Sequence, residues 1–191
     1  MISSWPLATS AHDTADGNDG IAQNVVFTGS EAVFDGVDSR ITVPYNPNLS
    51  PGSADFTTMV QINTTHKPGT GGTDFDLIRA APLGKLYKVE LFPHSGKSQA
   101  QCIYKGSLNH ITLHAGPSLN DGVWHTIVCT KTSNQVTLTV DGIQVGSATI
   151  TIGTITLRKN AIFALGYKPV PGGTDEDFFN GEMRNASVSI S

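Results

Sequence analysis

Short runs in which apolar and polar side chains alternate recur along the chain, and the alternation is clearest in its second half. In the segment 135–141, the apolar residues Val136, Leu138 and Val140 occupy every second position. Because successive side chains of a strand point to opposite faces, this pattern predicts a strand with one buried and one exposed face. An Asp-Gly pair follows at 141–142, which is typical of a tight turn between two antiparallel strands.

Similar runs predict about a dozen strands over the whole chain. They include the segments 24–27, 39–43, 56–63, 75–79, 87–91, 111–113, 161–167 and 184–190. No segment carries helical periodicity over about ten residues or more, so the sequence predicts an all-β fold. Strands with polar outer faces bury their apolar faces either by stacking as two sheets or by closing into a barrel.

The composition restricts the number of domains and the class of partner. With 191 residues the chain is long enough to bury a sizeable core, and we expect a single domain over residues 1–191 that is a monomer. Charged residues make up 15% of the chain, the net charge is −4, and the lysines and arginines are dispersed, which argues against nucleic acid or an anionic membrane as a partner. No run approaches the roughly 20 apolar residues of a membrane-spanning helix, so we expect no membrane insertion. The first residues, 1–5, lack the basic and apolar regions of a signal peptide.

Two cysteines, Cys102 and Cys129, each lie within a strand-like run. Such a pair either forms a disulfide between strands or remains as two buried thiols. No further cysteine and no adjacent histidine offers a metal framework, which favours the disulfide. A disulfide would place the protein in an oxidising compartment.

Three stretches of the sequence resemble the laminin G-like domains of the concanavalin A-like lectin/glucanase superfamily. They are WPL at 5–7 with the loop DTADGNDG at 13–20, AVFDGVDSRITVP at 32–44, and DGVWHT at 121–126 with LTVDG at 138–142. The third stretch is the most specific, because a turn, a tryptophan and a second turn stand there at fixed spacing. The segment FNGEM at 179–183 is similar to the closing strand of the family.

The resemblance implies an all-β jelly-roll sandwich of two antiparallel sheets with about 12–14 strands. We expect the large ring of Trp124 to fill the space between the sheets, with its indole N–H bonded to a carbonyl group. The pairing of Cys102 with Cys129 also resembles secreted members of the family, which implies a secreted or cell-surface protein. Such a fold signature does not identify the ligand.

Laminin G-like domains often bind one calcium ion, and the acidic loop 13–20 offers oxygen ligands for it. Calcium takes about six to eight oxygens, and we expect Asp13 and Asp16 among its ligands. An ordinary solvated turn of the same composition is the alternative. Asp177, in a second acidic cluster, would complete the site if the two ends of the chain pair in one sheet. Arg184 stands where members of the family often carry an acidic residue.

The resemblance favours a non-catalytic carbohydrate-binding module that recognises an extracellular polysaccharide or glycoconjugate. Sugars stack their apolar faces on exposed aromatic rings, and the candidate rings are Tyr45, Tyr104, Tyr167 and Phe92. Tyr167 borders a loop rich in proline and glycine at a strand end and is the first choice. A structural or adhesion domain that recognises protein in an exported or phage-like assembly is the alternative.

Two enzymatic functions are further alternatives, the first of them that of glycanases in the same superfamily. Its glycanases use paired carboxylates in E-x-D-x-E or E-x-D-x-x-E spacing, and no glutamate of this chain begins such a motif, which argues against this route of hydrolysis. A polysaccharide lyase needs only a tyrosine or histidine base and a cation, and Tyr87, Lys88, Arg79 and His94 lie near one another in sequence. We do not expect an enzyme.

Overall fold

The computed structural model describes residues 1–69, 73–81 and 85–191. Within these ranges the chain forms one 3-10 turn, Pro47–Leu49, and strands throughout the rest of its regular structure. None of the helical structure described is long and apolar enough to span a bilayer. The strands are β1 (Ile2–Trp5), β2 (Ile21–Gln23), β3 (Val26–Phe27), β4 (Ala32–Asp35), β5 (Arg40–Val43), β6 (Phe56–Asn63), β7 (Phe75–Ala81), β8 (Leu86–His94), β9 (Lys97–Lys105), β10 (His110–Ala115), β11 (His125–Lys131), β12 (Gln135–Val140), β13 (Ile143–Thr149), β14 (Ile162–Leu165) and β15 (Asn180–Ile190).

The strands form two antiparallel sheets that pack face to face. The eight-stranded sheet has the order β13-β12-β11-β6-β15-β4-β3, and β1 pairs with β15 beside this path. The seven-stranded sheet has the order β10-β9-β8-β7-β14-β5-β2. The inner faces of both sheets supply one continuous cluster of buried apolar residues. This confirms the predicted all-β sandwich.

The alternation of side chains is confirmed strand by strand. In β6 every second residue from Phe56 to Ile62 is buried, and in β12 the buried residues are Val136, Leu138 and Val140. The Asp-Gly pair after β12 has φ of 51° and 79°. Positive φ at both central residues is the geometry of a type I′ turn, whose twist matches that of the strands it joins.

One predicted strand is shorter than expected. The segment 24–27 contributes only its last two residues to β3, while β2 ends at Gln23 and belongs to the seven-stranded sheet. Asn24 has φ of 54°, a left-handed conformation that turns the chain between the two strands. The final strand also begins earlier than alternation alone predicted, at Asn180, and so includes most of the segment 179–183.

The tryptophan between the sheets is Trp5, and the prediction for Trp124 is wrong. Trp5 is fully buried in the eight-stranded sheet and stacks on Phe163 of the opposite sheet, with ring centroids 4.9 Å apart. Its indole N–H donates to the Asn18 carbonyl at 2.8 Å. Trp124 is half-buried, and the guanidinium carbon of Arg184 lies 4.0 Å from its ring centroid.

The neighbouring residue, His125, takes the inward position that Trp124 was expected to fill. Its Nδ1 lies 2.7 Å from Asp141 Oδ2, and its Nε2 lies 3.0 Å from Asp121 Oδ1. Burial alone would lower the pKa of His125, but the hydrogen bonds to the two carboxylates outweigh it and raise the pKa. The fixed spacing of the two Asp-Gly turns therefore reflects a histidine that bridges their carboxylates.

A disulfide joins the two sheets. Cys102 of β9 and Cys129 of β11 are bonded, with their Cα atoms 5.9 Å apart, and both are fully buried. The predicted pairing is therefore present in the structure.

Candidate functional site

A pocket of about 190 Å³ lies at one end of the sandwich, between the loop that follows β1 and the turn that follows β5. Tyr45 is half-buried, so part of its surface stays accessible there. The structure thus brings one predicted ligand-binding residue together with the acidic loop 13–20. We call this site the Tyr45 pocket, and it is lined by Gly17, Asn18, Asp19, Val43, Pro44, Tyr45 and Asn46.

Asp13 stabilises the conformation of the acidic loop 13–20. It is 2% exposed, and its Oδ1 accepts hydrogen bonds from the backbone N–H of Ser4 at 2.8 Å and of Ala15 at 3.0 Å. Its Oδ2 accepts from the N–H of Asn18 at 3.0 Å. Burial acts to raise the pKa of Asp13, but these backbone hydrogen bonds outweigh it and lower the pKa. We therefore assign Asp13 to the conformation of the loop and not to a metal.

Two other oxygens of the loop are suited to a cation. Asp16 Oδ2 and Asn18 Oδ1 are buried and accept no hydrogen bond from any part of the chain that the structure describes. The amide nitrogen of Asn18 donates to Ser3 Oγ at 2.7 Å, which fixes the orientation of that side chain. Buried oxygens without a donor are costly, and calcium binds carboxylate and amide oxygens. The loop therefore fits a calcium ion with Asp16 and Asn18 among its ligands.

Asp177 does not join this loop, which corrects the predicted metal site. The chain ends do pair, but β1 meets β15 only at Ala186 and beyond. Asp177 precedes the opposite end of β15, where its carbonyl accepts from the N–H of Asp76 in the seven-stranded sheet at 3.1 Å. Its Oδ2 lies 3.1 Å from Lys168 Nζ.

Burial also corrects the expectations for Tyr104 and Tyr167. Tyr104 is 0% exposed and packs edge-to-face on Phe56 between the sheets, with ring centroids 5.3 Å apart. Tyr167 is 2% exposed, and its hydroxyl lies 2.8 Å from that of Thr42. A ring without exposed surface cannot stack on a sugar. Tyr45 and the half-buried Phe92 are the remaining candidate rings.

The seven-stranded sheet carries a group of charged side chains that the sequence did not predict. Lys88 Nζ lies 3.1 Å from Asp74 Oδ2 and 3.6 Å from Asp76 Oδ1, and it also contacts Glu90 Oε2. Arg79 Nη1 donates to Asp76 Oδ2 at 3.1 Å. Asp76 and Glu90 are 0% and 1% exposed. We call these residues, Asp74, Asp76, Arg79, Lys88 and Glu90, the charged network.

The protonation of the charged network balances its charges. Burial, together with a hydrogen bond to Asp74, raises the pKa of Glu90 to about 9, and burial raises the pKa of Asp76 to about 6. Burial acts to raise the pKa of Asp74 as well, but the hydrogen bond with Glu90 and the charge of Lys88 lower it to about 2. The raised pKa of Glu90 favours its neutral form, which leaves Asp74 and Asp76 to face the cations Lys88 and Arg79. A buried group of zero net charge avoids the large cost of an unpaired ion.

The charged network does not resemble an open catalytic or metal site. Asp74, Asp76 and Glu90 have carboxylate oxygens within 4.8 Å of one another, but the Lys88 ammonium already lies among them as their cation. Tyr87, the base of the lyase hypothesis, is fully buried, and its hydroxyl donates to the Leu49 carbonyl at 2.7 Å. Burial also raises the pKa of Tyr87, so the lyase hypothesis gains no support.

Solved structures show where this fold occurs. Domain 4 of AbnA, a GH43 extracellular arabinanase from Geobacillus stearothermophilus solved in complex with arabinotriose, is similar with a TM-score of 0.67 and 16% identity over 97% of this chain and 90% of that chain. The binding domain of Paraclostridial Mosquitocidal Protein 1 has a TM-score of 0.70 and 16% identity over 98% of this chain and 48% of that chain. Domains LG4-5 of the mouse laminin alpha1 chain have a TM-score of 0.62 and 19% identity over 94% of this chain and 44% of that chain. The chain thus spans about half the length of the toxin and laminin chains.

A comparison with curated protein sequences finds no match. A family model does match: that of the concanavalin A-like lectin/glucanases superfamily, type Laminin_G_3, over residues 35–189. This range begins in β4 and includes the bridging His125, the disulfide and nearly all of β15. The chain therefore belongs to the concanavalin A-like lectin/glucanase superfamily.

Proposed function

We propose that the chain is a non-catalytic module that binds an extracellular polysaccharide or glycoconjugate through the Tyr45 pocket. One observation supports this most directly: the half-buried Tyr45 lines the same pocket as Asp19 and Asn46. An aromatic ring packs against the C–H groups of a sugar, while amide and carboxylate groups bond to its hydroxyls.

The polar groups of the Tyr45 pocket are held in place before any ligand arrives. Asp19 Oδ1 accepts from the backbone N–H of Asp13 at 2.9 Å and lies 2.7 Å from His12 Nδ1. Asn46 Oδ1 accepts from the N–H of Asn48 at 3.0 Å. Fixed side chains lose little conformational entropy on binding, which favours affinity.

The solved structures of similar fold support a binding role. They include the arabinanase domain in complex with arabinotriose and the binding domain of a toxin. A secreted or cell-surface location is part of the proposal, because the disulfide needs an oxidising compartment and the arabinanase is extracellular. A protein partner is the second candidate, because the binding domain of botulinum neurotoxin DC, which has a similar fold, was solved in complex with rat synaptotagmin II.

Replacement of Tyr45 by alanine is expected to weaken glycan binding about tenfold, because it removes the stacking surface of the pocket. A glycan array would identify ligands of the native protein, and calorimetric titration with those ligands and with arabinotriose would measure the change. Phe92→Ala, which truncates the other candidate ring, on β8 of the seven-stranded sheet, should bind as the native protein does if the Tyr45 pocket is the site. Native affinity in Tyr45→Ala would contradict the assignment, and an array without ligands would favour a protein partner.

We propose calcium as a stabilising ion of the loop 13–20. If Asp16 and Asn18 bind it, removal by EDTA should lower the melting temperature by about 5 °C or more, since an ion bound only by the folded state stabilises it. Asp16→Ala should melt lower and no longer respond to EDTA, while Asp55→Ala, at an exposed position, should respond as the native protein does. An unchanged melting curve of the native protein in EDTA would exclude the ion.

A further inference from the structure

A second and larger cleft of about 330 Å³ lies on the eight-stranded sheet, away from the Tyr45 pocket. Its walls come from β4, from the end of β6 with the residues after it, from the turn before β11 and from the start of β15. We call it the Glu182 cleft, and the polar side chains among its lining residues are those of Asn63, Thr64, Thr65, His66, Asn180 and Glu182.

Hydrogen bonds of Thr64 connect three walls of the Glu182 cleft. Thr64 is 3% exposed, and its hydroxyl donates to the Asn180 carbonyl at 2.6 Å and accepts from the N–H of His66 at 2.9 Å. Its carbonyl accepts from the N–H of Gly122 at 3.1 Å. The walls are therefore fixed relative to one another, as expected of a site formed before its ligand binds.

Glu182 and Asn63 face each other across the neighbouring strands β15 and β6. Asn63 Nδ2 donates to Glu182 Oε2 at 3.0 Å. Both residues are partly exposed, and both line the cleft. The close approach of the two strands needs a glycine at 181, because a Cβ there would lie 2.6 Å from the Asn63 carbonyl oxygen.

The pair Trp124 and Arg184 borders the same surface. Arg184 is two residues after Glu182 on the outer face, and its guanidinium lies on the Trp124 ring. Arg184 Nε donates to Gln61 Oε1 at 2.9 Å, which fixes the position of the guanidinium. The cleft thus has a half-buried aromatic group beside it.

We infer that the Glu182 cleft is a second binding site, which takes an uncharged sugar. The carboxylate of Glu182 accepts hydrogen bonds from hydroxyl groups, and the side-chain amide of Asn180 donates to their oxygens. The Arg184 guanidinium is engaged by Trp124 and Gln61, and no lysine or arginine is among the described lining residues, so the Glu182 carboxylate repels an anionic ligand and disfavours uronates and sulfated sugars. This inference extends the proposed function but does not depend on the Tyr45 pocket.

The test is an NMR titration of the ¹⁵N-labelled protein with D-galactose, D-glucose and L-arabinose, each added separately, and with D-glucuronate as the charged counterpart. We expect at least one neutral sugar to shift the amide signals of Gly122 and Gly181 and the side-chain signal of Asn63, and D-glucuronate to leave them in place. Glu182→Gln keeps the shape of the side chain but loses its charge, and should weaken this binding about tenfold. Thr139→Ala, on another strand of the same sheet, should change nothing.

Several outcomes would overturn the inference. One is the absence of shifts around the Glu182 cleft with all three neutral sugars, and another is native affinity in a folded Glu182→Gln variant. Equal shifts with D-glucuronate would exclude the stated ligand class. Shifts confined to residues around Asn18 and Tyr45 would support the proposed function and reject the second site.

Discussion

Replacement of Lys88 by methionine is expected to lower the free energy of unfolding by about 3–5 kcal/mol at pH 7. The Lys88 ammonium contacts three carboxyl groups, two of them almost fully buried. Methionine fills a similar volume but leaves Asp74 and Asp76 with only Arg79 to balance them. Urea denaturation measures the change. Lys97→Met, at an exposed position of β9, is the control and should stay within about 0.5 kcal/mol of the native protein.

The same network predicts the direction of the pH dependence. Because the folded-state pKa of Glu90 is raised to about 9, its protonated form stabilises the fold, and this contribution falls as the pH rises from the ordinary value towards 9. The pKa of Asp76 is raised to about 6, so Asp76 acts in the same direction over a narrower pH range. The native protein should therefore unfold more easily at pH 9 than at pH 5. Glu90→Gln, which keeps a neutral side chain of the same shape, should lose much of this dependence, and an equal dependence in the variant would contradict the assignment.

Removal of the disulfide is expected to lower the free energy of unfolding by about 3.5 kcal/mol. The bond closes a loop with a sequence separation of 27 residues, and the loop-entropy relation gives about this value for that length. The comparison is between the native protein and the double variant Cys102→Ala and Cys129→Ala, with unfolding followed in urea. Alanine avoids burying unpaired hydroxyl groups, since both positions are fully buried.

A reducing agent provides the internal control for this experiment. It should lower the free energy of unfolding of the native protein by a similar amount and leave that of the double variant unchanged. A loss below about 1 kcal/mol would show that the cross-link between Cys102 and Cys129 constrains the unfolded chain little.

Local alternation predicted the all-β fold, whereas the choice of two stacked sheets over a barrel came from the resemblance to laminin G-like domains. Alternation marks each strand, and β6 and β12 follow it without exception. The prediction for Trp124 was wrong because the local sequence pattern does not determine the register of a strand. A shift of one residue in register exchanges the two faces of a strand, and the pairing of His125 with Ile62 is a contact between distant segments. The inward direction of Trp5 likewise depends on its stacking with Phe163 across the core.

The candidate site could be predicted only in part. Tyr45 and the loop 13–20 were both identified, but their meeting in one pocket depends on the approach of β1 and β5. Tyr167 was the first choice and Tyr104 a further candidate, but both are buried by packing between distant segments, which no local pattern reveals. The role of Asp13 could not be predicted, because the backbone N–H groups that donate to its carboxylate are not revealed by any side-chain pattern.

The charged network had a sequence signature that was overlooked. Asp74 and Asp76 stand two residues apart, as do Lys88 and Glu90, so each pair occupies one face of its strand. The structure pairs Asp76 with Glu90 and Arg79 with Lys88 across β7 and β8. Alternating charges of opposite sign on two successive strands predict such a group when the strands form a hairpin.

The pairing of β1 with β15 has a mechanical consequence. The two strands are antiparallel neighbours, with Ile2 opposite Ser189, and the amino group of Met1 donates to the Ile190 carbonyl at 2.6 Å. A tension applied through both ends would therefore act at one corner and open the hydrogen bonds between these strands one after another. Such unzipping resists force less than the simultaneous rupture of a sheared pair, so under load β1 would detach first and release Trp5 from the core.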